Sequence, residues 1–417
     1  MPASTASTNA DKKLLFEAAK GCQRGVDVLL DGGARLDGCD DLHSRPLLMA
    51  ANHGHVLLVK HLHARGADLN IHCANSRSGA TAGSTALHAA VLAGKRAAVQ
   101  ALLELGARPD IADAKGYTPL MIACGLPDAG VRLRLARDLI QGGADPATKN
   151  NEGIVGLTMA ASLGDAALIK LLVSASPGTL NSANHLGCTP LSGATANGRE
   201  DAVSLLLSLG ASDRAVFSEI GTSSLLFAID IGQPKMVSIL LSRGLEAAGG
   251  LHAIEVAVCS AVRAGQAKIL QMLLAVEGER RQRHWARKLV DGRPILHGAV
   301  GFAAPLPSLH VLLAAGADET AVNSEGQRAC DVIGAQVPMD GAKKAAIGRM
   351  LERGPAFRAR SWAWPAIGSS SSGNVSCANP VPSQPKTTTL GARSYRSKNT
   401  MFFMARFARY ANERHKQ

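Results

Sequence analysis

A motif that recurs about every 33 residues constrains this chain more than any other feature of its sequence. In its best-preserved copy, residues 84–94 read Ser-Thr-Ala-Leu-His-Ala-Ala-Val-Leu-Ala-Gly, and a Gly-Ala pair follows at residues 106–107. The anchor leucine, or a residue in its place, recurs at gaps of 32, 40, 33, 37, 34, 34, 33, 38 and 34 residues. A period of this size predicts stacked helical units, which recognise other molecules through an extended surface. The ten anchors are Leu15, Leu47, Leu87, Leu120, Leu157, Leu191, Leu225, Val258, Leu296 and Cys330.

Each copy of the motif carries the signals for two short helices. Thr118 and Thr189 can accept a backbone hydrogen bond as N-caps, and the proline after each suits the first helical position. A second apolar stripe, such as Val99, Leu102 and Leu103, predicts a second helix that ends at the Gly-Ala pair. Seven residues after most anchors lies a glycine suited to a left-handed C-cap: Gly54, Gly94, Gly164, Gly198, Gly232 and Gly265.

The motif resembles the ankyrin repeat signature Thr-Pro-Leu-His-x-Ala. Residues 85–90, 116–120 and 187–191 carry the resemblance, which extends over residues 11–354 and is weakest in units one, eight and ten. It implies an all-α, ankyrin-type solenoid of about ten helix-turn-helix units joined by projecting finger loops. It also implies that His88 and His297, at the signature histidine position, make structural hydrogen bonds. We therefore expect one long repeat domain.

The resemblance implies a non-enzymatic scaffold that binds a protein partner on a concave surface of fingers and first helices. The chain contains no dinucleotide or phosphate loop, nucleophile elbow, zinc-protease motif or kinase catalytic loop. We expect no enzymatic activity, no cofactor and no small-molecule substrate. Six of the 13 histidines lie within residues 43–72, but no cysteine pair or glutamate completes a ligand set, so no metal site is predicted.

The fingers supply the candidate contact residues. The resemblance places contacts beside the motif glycine of two consecutive fingers, and only their position supports this choice. The 40-residue gap adds seven residues to another finger, at residues 71–83, which contains Arg77. The 37-residue gap instead indicates a loop insertion between two helices, near residues 125–130. The contact candidates in the two fingers are Ala114, Lys115, Tyr117, Asn151, Glu152 and Ile154.

A second enlarged finger is strongly basic. The 38-residue gap places extra residues at 279–288, where five of the ten residues are Lys or Arg. An acidic partner surface would suit this finger, and a solvated charged extension without a ligand is the alternative. Its candidate contacts are Arg280, Arg281, Arg283, Trp285 and Arg287.

The C-terminal tail holds most of the net charge. Residues 355–417 contain ten Lys or Arg and one Glu, so they carry +9 of the formal charge of +12. Residues 355–367 are expected to cap the last repeat or to dock another protein. Residues 368–417 are expected to be disordered, with a short amphipathic helix near 399–416. The tail candidates are Arg358, Arg360, Trp362, Trp364, Phe403, Arg406, Phe407 and Arg409.

The tail also provides the alternative function. Its cations and aromatic rings suit an anionic membrane surface or a single-stranded nucleic acid, so the protein could be a peripheral membrane or nucleic-acid binder. A solvated tail without a ligand is equally compatible with this composition. A role as an adaptor for a degradation or signalling complex is a third hypothesis, although no second domain is recognised.

Residue usage predicts the compartment. Residues 1–10 lack the basic and apolar regions of a secretory signal and are expected to be disordered. No apolar run reaches 18 residues, and the eight cysteines form no Cys-x-x-Cys pair. Reduced thiols indicate a soluble, intracellular protein. We expect a cytoplasmic location, with the nucleus as an alternative.

Overall fold

The structure is a computed structural model in which the chain divides into two compact units, Met1–Gly278 and Glu279–Gln417. Its secondary structure is helical apart from one ladder of two short strands and one isolated bridge in the described part of the chain. The predicted all-α repeat fold is therefore confirmed. The described residues are 9–37, 45–72, 82–212, 224–242, 251–276, 289–290, 293–301, 304–333 and 340–352.

Eight successive helix pairs form the described part of the N-terminal unit. Each first helix packs on the next first helix, and from α4 onward each second helix packs on the next second helix, which gives two layers. A 3₁₀ turn, Pro177–Asn181, follows α10. The first helices are α1 (Asn9–Lys20), α3 (Pro46–His53), α5 (Ala86–Leu92), α7 (Pro119–Cys124), α9 (Gly156–Leu163), α11 (Pro190–Ala196), α13 (Ser224–Ile231) and α15 (Leu251–Arg263). The second helices are α2 (Gln23–Asp31), α4 (Val56–Ala64), α6 (Arg96–Glu104), α8 (Ala129–Gln141), α10 (Ala166–Ala175), α12 (Glu200–Ser208), α14 (Pro234–Ser242) and α16 (Ala267–Val276).

The helix ends follow the predicted capping chemistry. The Thr118 hydroxyl accepts the Met121 N–H at 3.4 Å, and the Thr189 hydroxyl accepts the Ser192 N–H at 3.3 Å. The six predicted C-cap glycines all have positive φ, for example 81° at Gly54. The anchor leucines are buried between the two layers. The motif therefore places both the helix boundaries and the core.

Charged pairs join neighbouring second helices. The Arg96 Nε lies 2.6 Å from Asp138 Oδ2, which links α6 to α8. The Arg132 Nε lies 3.0 Å from Asp165 Oδ2, and the two side chains are only 8% and 10% exposed. A second guanidinium nitrogen of Arg132 donates to the Leu126 carbonyl at 3.0 Å. Arg132 therefore holds the α7–α8 loop and couples it to the next repeat.

The C-terminal unit contains one helix pair and a final helix in its described part. Strands β1 (Leu289–Val290) and β2 (Arg293–Pro294) pair antiparallel at the place of the ninth finger. Helices α17 (Ile295–Gly301) and α18 (Leu306–Ala314) form the pair. Helix α19 (Gly341–Glu352) packs on α18.

Three predicted features differ from the structure or are refined by it. Units one and eight, weak in sequence, both form helix pairs, whereas the tenth anchor Cys330 lies in a turn. There Asp331 Oδ2 accepts the Arg328 N–H at 2.8 Å, a local bond that competes with helix formation. Helix α1 begins at Asn9, within the predicted disordered start. The insertion near residues 125–130 is only partly a loop, because α8 spans 13 residues whereas α6 spans nine.

Candidate functional site

Three consecutive fingers, residues 113–117, 150–154 and 184–188, share one tight geometry, and we call them the finger row. In the first, the Asp113 carboxylate accepts the N–H groups of Lys115 and Tyr117 at 2.9 and 2.8 Å. Asn150 accepts those of Glu152 and Ile154 at 3.0 and 2.8 Å, and Asn184 does the same for Leu186 and Cys188 at 3.0 and 2.7 Å. The first side chain of each finger therefore fixes its tip. The capping residues are Asp113, Asn150 and Asn184.

Backbone hydrogen bonds join the fingers to one another. The Asn151 N–H donates to the Lys115 carbonyl at 3.2 Å, and the His185 N–H donates to the Glu152 carbonyl at 3.1 Å. The Ala114 N–H donates to Ala82 of the preceding finger at 2.8 Å. The finger row is therefore a continuous ladder.

Glycine makes this close approach feasible. A Cβ added at Gly116 would lie 2.5 Å from both the backbone nitrogen and the Oδ1 of Asn151. The φ of 81° at Gly116 also lies in the region that favours glycine. The glycine that identifies each finger in the sequence therefore serves the packing of one finger on the next.

The structure separates the six described candidates by exposure. Ala114, Lys115 and Asn151 are exposed at the tips, and Tyr117 and Glu152 are half-buried. Ile154 is only 4% exposed, so its side chain belongs to the core and we leave it out of the proposed contact surface. The remaining candidates lie outside the described residues: Arg77, Arg280, Arg281, Arg283, Trp285, Arg287, Arg358, Arg360, Trp362, Trp364, Phe403, Arg406, Phe407 and Arg409.

Two exposed residues of the finger row were absent from the sequence-based candidates. His185 and Leu186 occupy the tip of the third finger, and Leu186 is 52% exposed although it is a large apolar residue. They stand six and five residues before the anchor Leu191, the same register as Ala114 and Lys115 before Leu120. The motif spacing alone would have found them.

The first helices contribute little accessible surface beside these fingers. Every residue of 86–91 in α5 and of 119–124 in α7 is buried. Small side chains bring these helices together, and a Cβ added at Gly193 of α11 would lie 2.9 Å from the Ser162 hydroxyl of α9. The accessible part of this region is therefore concentrated in the finger tips.

His88 links two repeats through a buried hydrogen-bond relay. Its Nδ1 lies 3.1 Å from the Thr85 backbone nitrogen and 2.9 Å from the Thr85 hydroxyl, while its Nε2 lies 3.1 Å from the Tyr117 carbonyl. These partners favour a neutral ring with the proton on Nε2. Burial lowers the pKa of His88 below its ordinary value of 6.5, against the opposing effects of the Tyr117 carbonyl and Asp113. This geometry supports the structural role that was expected for His88.

Acid will weaken this relay. Folding lowers the pKa of His88, so its full contribution to the free energy of unfolding is present above pH 6.5. As the pH falls from 6.5 through the folded-state pKa, this contribution is lost. The reason is that the unfolded chain binds more protons than the folded chain in this range. We expect the stability difference between the wild type and His88→Ser to be smaller at pH 5 than at pH 7.5. Urea unfolding at both pH values measures it, and an equal difference at the two would contradict this. Serine is a suitable replacement because Ser192 fills this position in another unit, where its hydroxyl accepts the Thr189 N–H at 2.9 Å.

The other histidines and cysteines considered in the described part of the chain have structural surroundings. No three His, Cys, Asp or Glu side chains there come together as a metal-binding group. His61 Nε2 lies 2.6 Å from Asp27, and His55 Nε2 lies 2.8 Å from the Ala19 carbonyl, so both bond to neighbouring elements. Burial raises the pKa of the Cys124 thiol to about 12, so it stays protonated at neutral pH. No helix in the described ranges is long and apolar enough to cross a membrane.

Comparison with known proteins identifies the family. A family model for ankyrin repeats (3 copies) matches residues 47–150, 128–215 and 157–249. The putative ankyrin repeat protein YahD of Escherichia coli (strain K12) is 33% identical over 170 residues, which cover 40% of this chain and 79% of the relative. The chain belongs to the ankyrin repeat family. The finger row is thus a set of three ankyrin fingers.

Two mammalian relatives match over shorter parts of their length. Human ankyrin repeat domain-containing protein 63 is 34% identical over 93 residues, 22% of this chain and 24% of the relative. The mouse B-cell lymphoma 3 protein homolog is 31% identical over 133 residues, 32% of this chain and 26% of the relative. This chain therefore spans about a quarter of the length of each of these two relatives.

Proposed function

We propose that this protein is a non-catalytic scaffold that binds a partner protein along the finger row. Ankyrin repeats are in general protein–protein interaction modules. The observation that carries the proposal is the backbone ladder between the fingers, because a surface already ordered before binding loses less conformational entropy in a complex. The tips are also more exposed than the first helices α5 and α7 beside them.

The three tips offer different chemistry in one row. Lys115 presents a cation and Glu152 a half-buried anion, and Leu186 presents an exposed apolar side chain. An exposed leucine among polar neighbours is a suitable central contact, since a few desolvated side chains carry most of the binding energy in protein interfaces. The expected partner places an apolar side chain over Leu186 and an acidic one near Lys115.

Partner capture with finger variants tests the proposal. We expect the double variant Lys115→Glu/Leu186→Asp of the full-length chain to bind the captured partner at least about 30-fold more weakly, the loss typical of a binding hot spot. The matched control is Arg137→Glu/Ser204→Asp, which changes exposed residues on α8 and α12. Equal binding by the finger variant and the control would refute the finger row as the binding surface.

The enlarged fingers extend the proposal to residues outside the described ranges. We propose that the basic finger at residues 279–288 and Arg77 add contacts to an acidic part of the same partner, because opposite charges speed association and help to select it. The scattered cysteines support a reducing compartment, the cytoplasm or the nucleus. Catalysis has no part in the proposed function.

The charge of the tail favours a second candidate function. Residues 355–417 carry +9 with eight of the 14 aromatic residues, so the tail could direct the protein to an anionic membrane or a nucleic acid. This function predicts binding that weakens steeply with salt, is weakened in Arg406→Ala/Arg409→Ala and is lost when residues 355–417 are removed. Binding that is insensitive to salt and to these substitutions would leave the finger row as the better candidate.

A further inference from the structure

The ninth ankyrin unit lacks the histidine relay that is complete in the third. His297 Nε2 donates to the Gln327 carbonyl at 2.8 Å, just as His88 donates to Tyr117. However, His297 Nδ1 is buried and has no hydrogen-bond partner. The residue in the place of Thr85 is Pro294, which has neither a hydroxyl nor a backbone N–H to offer. The unmade bond is therefore a direct consequence of the sequence.

The second helix of the same unit has a buried hydroxyl in its core. Ser308 of α18 is fully buried, and its Oγ has no hydrogen-bond partner. Ser308 stands 12 residues after its anchor Leu296. A buried hydroxyl without a partner is unfavourable relative to an apolar side chain of suitable shape. Six other units place a buried aliphatic residue at this position: Val59, Val99, Ile169, Val203, Val237 and Leu270.

Both features lie in the C-terminal unit, Glu279–Gln417, which is compact separately from the eight helix pairs before it. The first helix expected after α18 is replaced by the turn at Cys330. The ninth unit therefore lacks a hydrogen bond that the third unit makes, and it buries a hydroxyl where six other units bury an aliphatic side chain.

We propose that the α17–α18 pair is a conformational switch that opens while the N-terminal unit stays folded, and that His297 and Ser308 set how often it opens. Repeat proteins permit this behaviour because each unit depends mainly on its neighbours. A partner that recognises the closed α17–α18 pair binds only the molecules in which the pair is closed. Its apparent affinity is therefore reduced in proportion to the closed fraction. The switch thus goes beyond the scaffold function and does not depend on the finger row.

Hydrogen exchange on the full-length chain, followed by mass spectrometry, tests the switch. We expect amides of residues 295–301 and 306–314 to be at least about tenfold less protected than those of 86–92 and 190–196. The repaired variant Pro294→Thr/Ser308→Val should raise protection of 295–314 at least about tenfold and leave 86–104 unchanged. Equal protection of the two regions in the wild type would overturn the proposal, as would a repaired variant whose exchange is unaltered.

Three further variants keep the result interpretable. Ser308→Ala removes the hydroxyl without adding volume, so it replaces Ser308→Val if circular dichroism shows that the larger side chain prevents folding. Ser204→Val makes the same change at an exposed position of α12 and should leave exchange unaltered. Val99→Ser puts the buried hydroxyl into the third unit and should lower protection of residues 86–104. Unchanged exchange in Val99→Ser would contradict the role given to Ser308.

Discussion

Replacing Asp165 with alanine will destabilise the N-terminal unit by about 3–5 kcal/mol, the cost of leaving a buried charge without its partner. Arg132 and Asp165 are 8% and 10% exposed, and their ion pair spans 3.0 Å between α8 and the start of α10. Asp165 Oδ1 also accepts the Leu168 N–H at 3.0 Å as the N-cap of α10. The substitution therefore removes an ion pair and a cap together. Urea unfolding monitored by circular dichroism measures the loss.

Two variants separate these contributions. Asp128 caps α8 through the Val131 N–H at 2.8 Å and is exposed, so Asp128→Ala should cost only about 1 kcal/mol. Asp165→Asn keeps a cap acceptor and removes the charge, so it should fall between the two. If Asp165→Ala costs no more than Asp128→Ala, the buried ion pair contributes nothing measurable. A double-mutant cycle with Arg132→Met would then show no coupling.

Gly116→Ala should cost about 2–4 kcal/mol and distort the finger row, the second largest effect that we expect. The new Cβ would lie 2.5 Å from the Asn151 nitrogen, a backbone atom that cannot rotate away. Gly116 also has a φ of 81°, which an alanine adopts only with strain. The bond from Asn151 to the Lys115 carbonyl should break, and exchange of the Asn151 amide should become faster.

Gly143→Ala is the matched control for this substitution. Gly143 has a φ of 92°, yet a Cβ there would have no atom within 4 Å. Its cost should therefore be only the conformational strain, about 1–2 kcal/mol. Equal destabilisation by the two substitutions would show that the fingers containing Gly116 and Asn151 can move apart without a cost in stability. Because Gly116 lies in the proposed binding surface, Gly116→Ala should also weaken partner binding more than Gly143→Ala does.

The helix boundaries could be predicted from the sequence because their causes are local. A threonine N-cap, a proline in the first turn and a glycine C-cap each act within a few residues. Thr118 therefore marks the start of α7, and Gly54 marks the end of α3. The same locality explains the errors. Cys330 keeps the period, but Asp331 forms a competing turn with Arg328. Period alone does not reveal such competition.

The candidate surface was predicted only in part. The resemblance selected Lys115 and Asn151, which lie at exposed tips, but it also selected Ile154, whose side chain is buried in the core. Exposure at a finger depends on which neighbour covers each side chain, and that neighbour lies some 35 residues away in the chain. The pairing of Arg132 with Asp165 was not predicted for the same reason, because the two residues belong to different repeats.

The sequence by itself determined the repeat, its helices and the register of the fingers, because these follow from hydrogen bonds and apolar spacing within one unit. Tertiary structure alone decided which polar groups are paired. The Asp165 carboxylate is paired and the Ser308 hydroxyl is not, although the motif spacing does not reveal this difference. The physical reason is that burial and partnership come from adjacent units, so they exist only once the units are stacked.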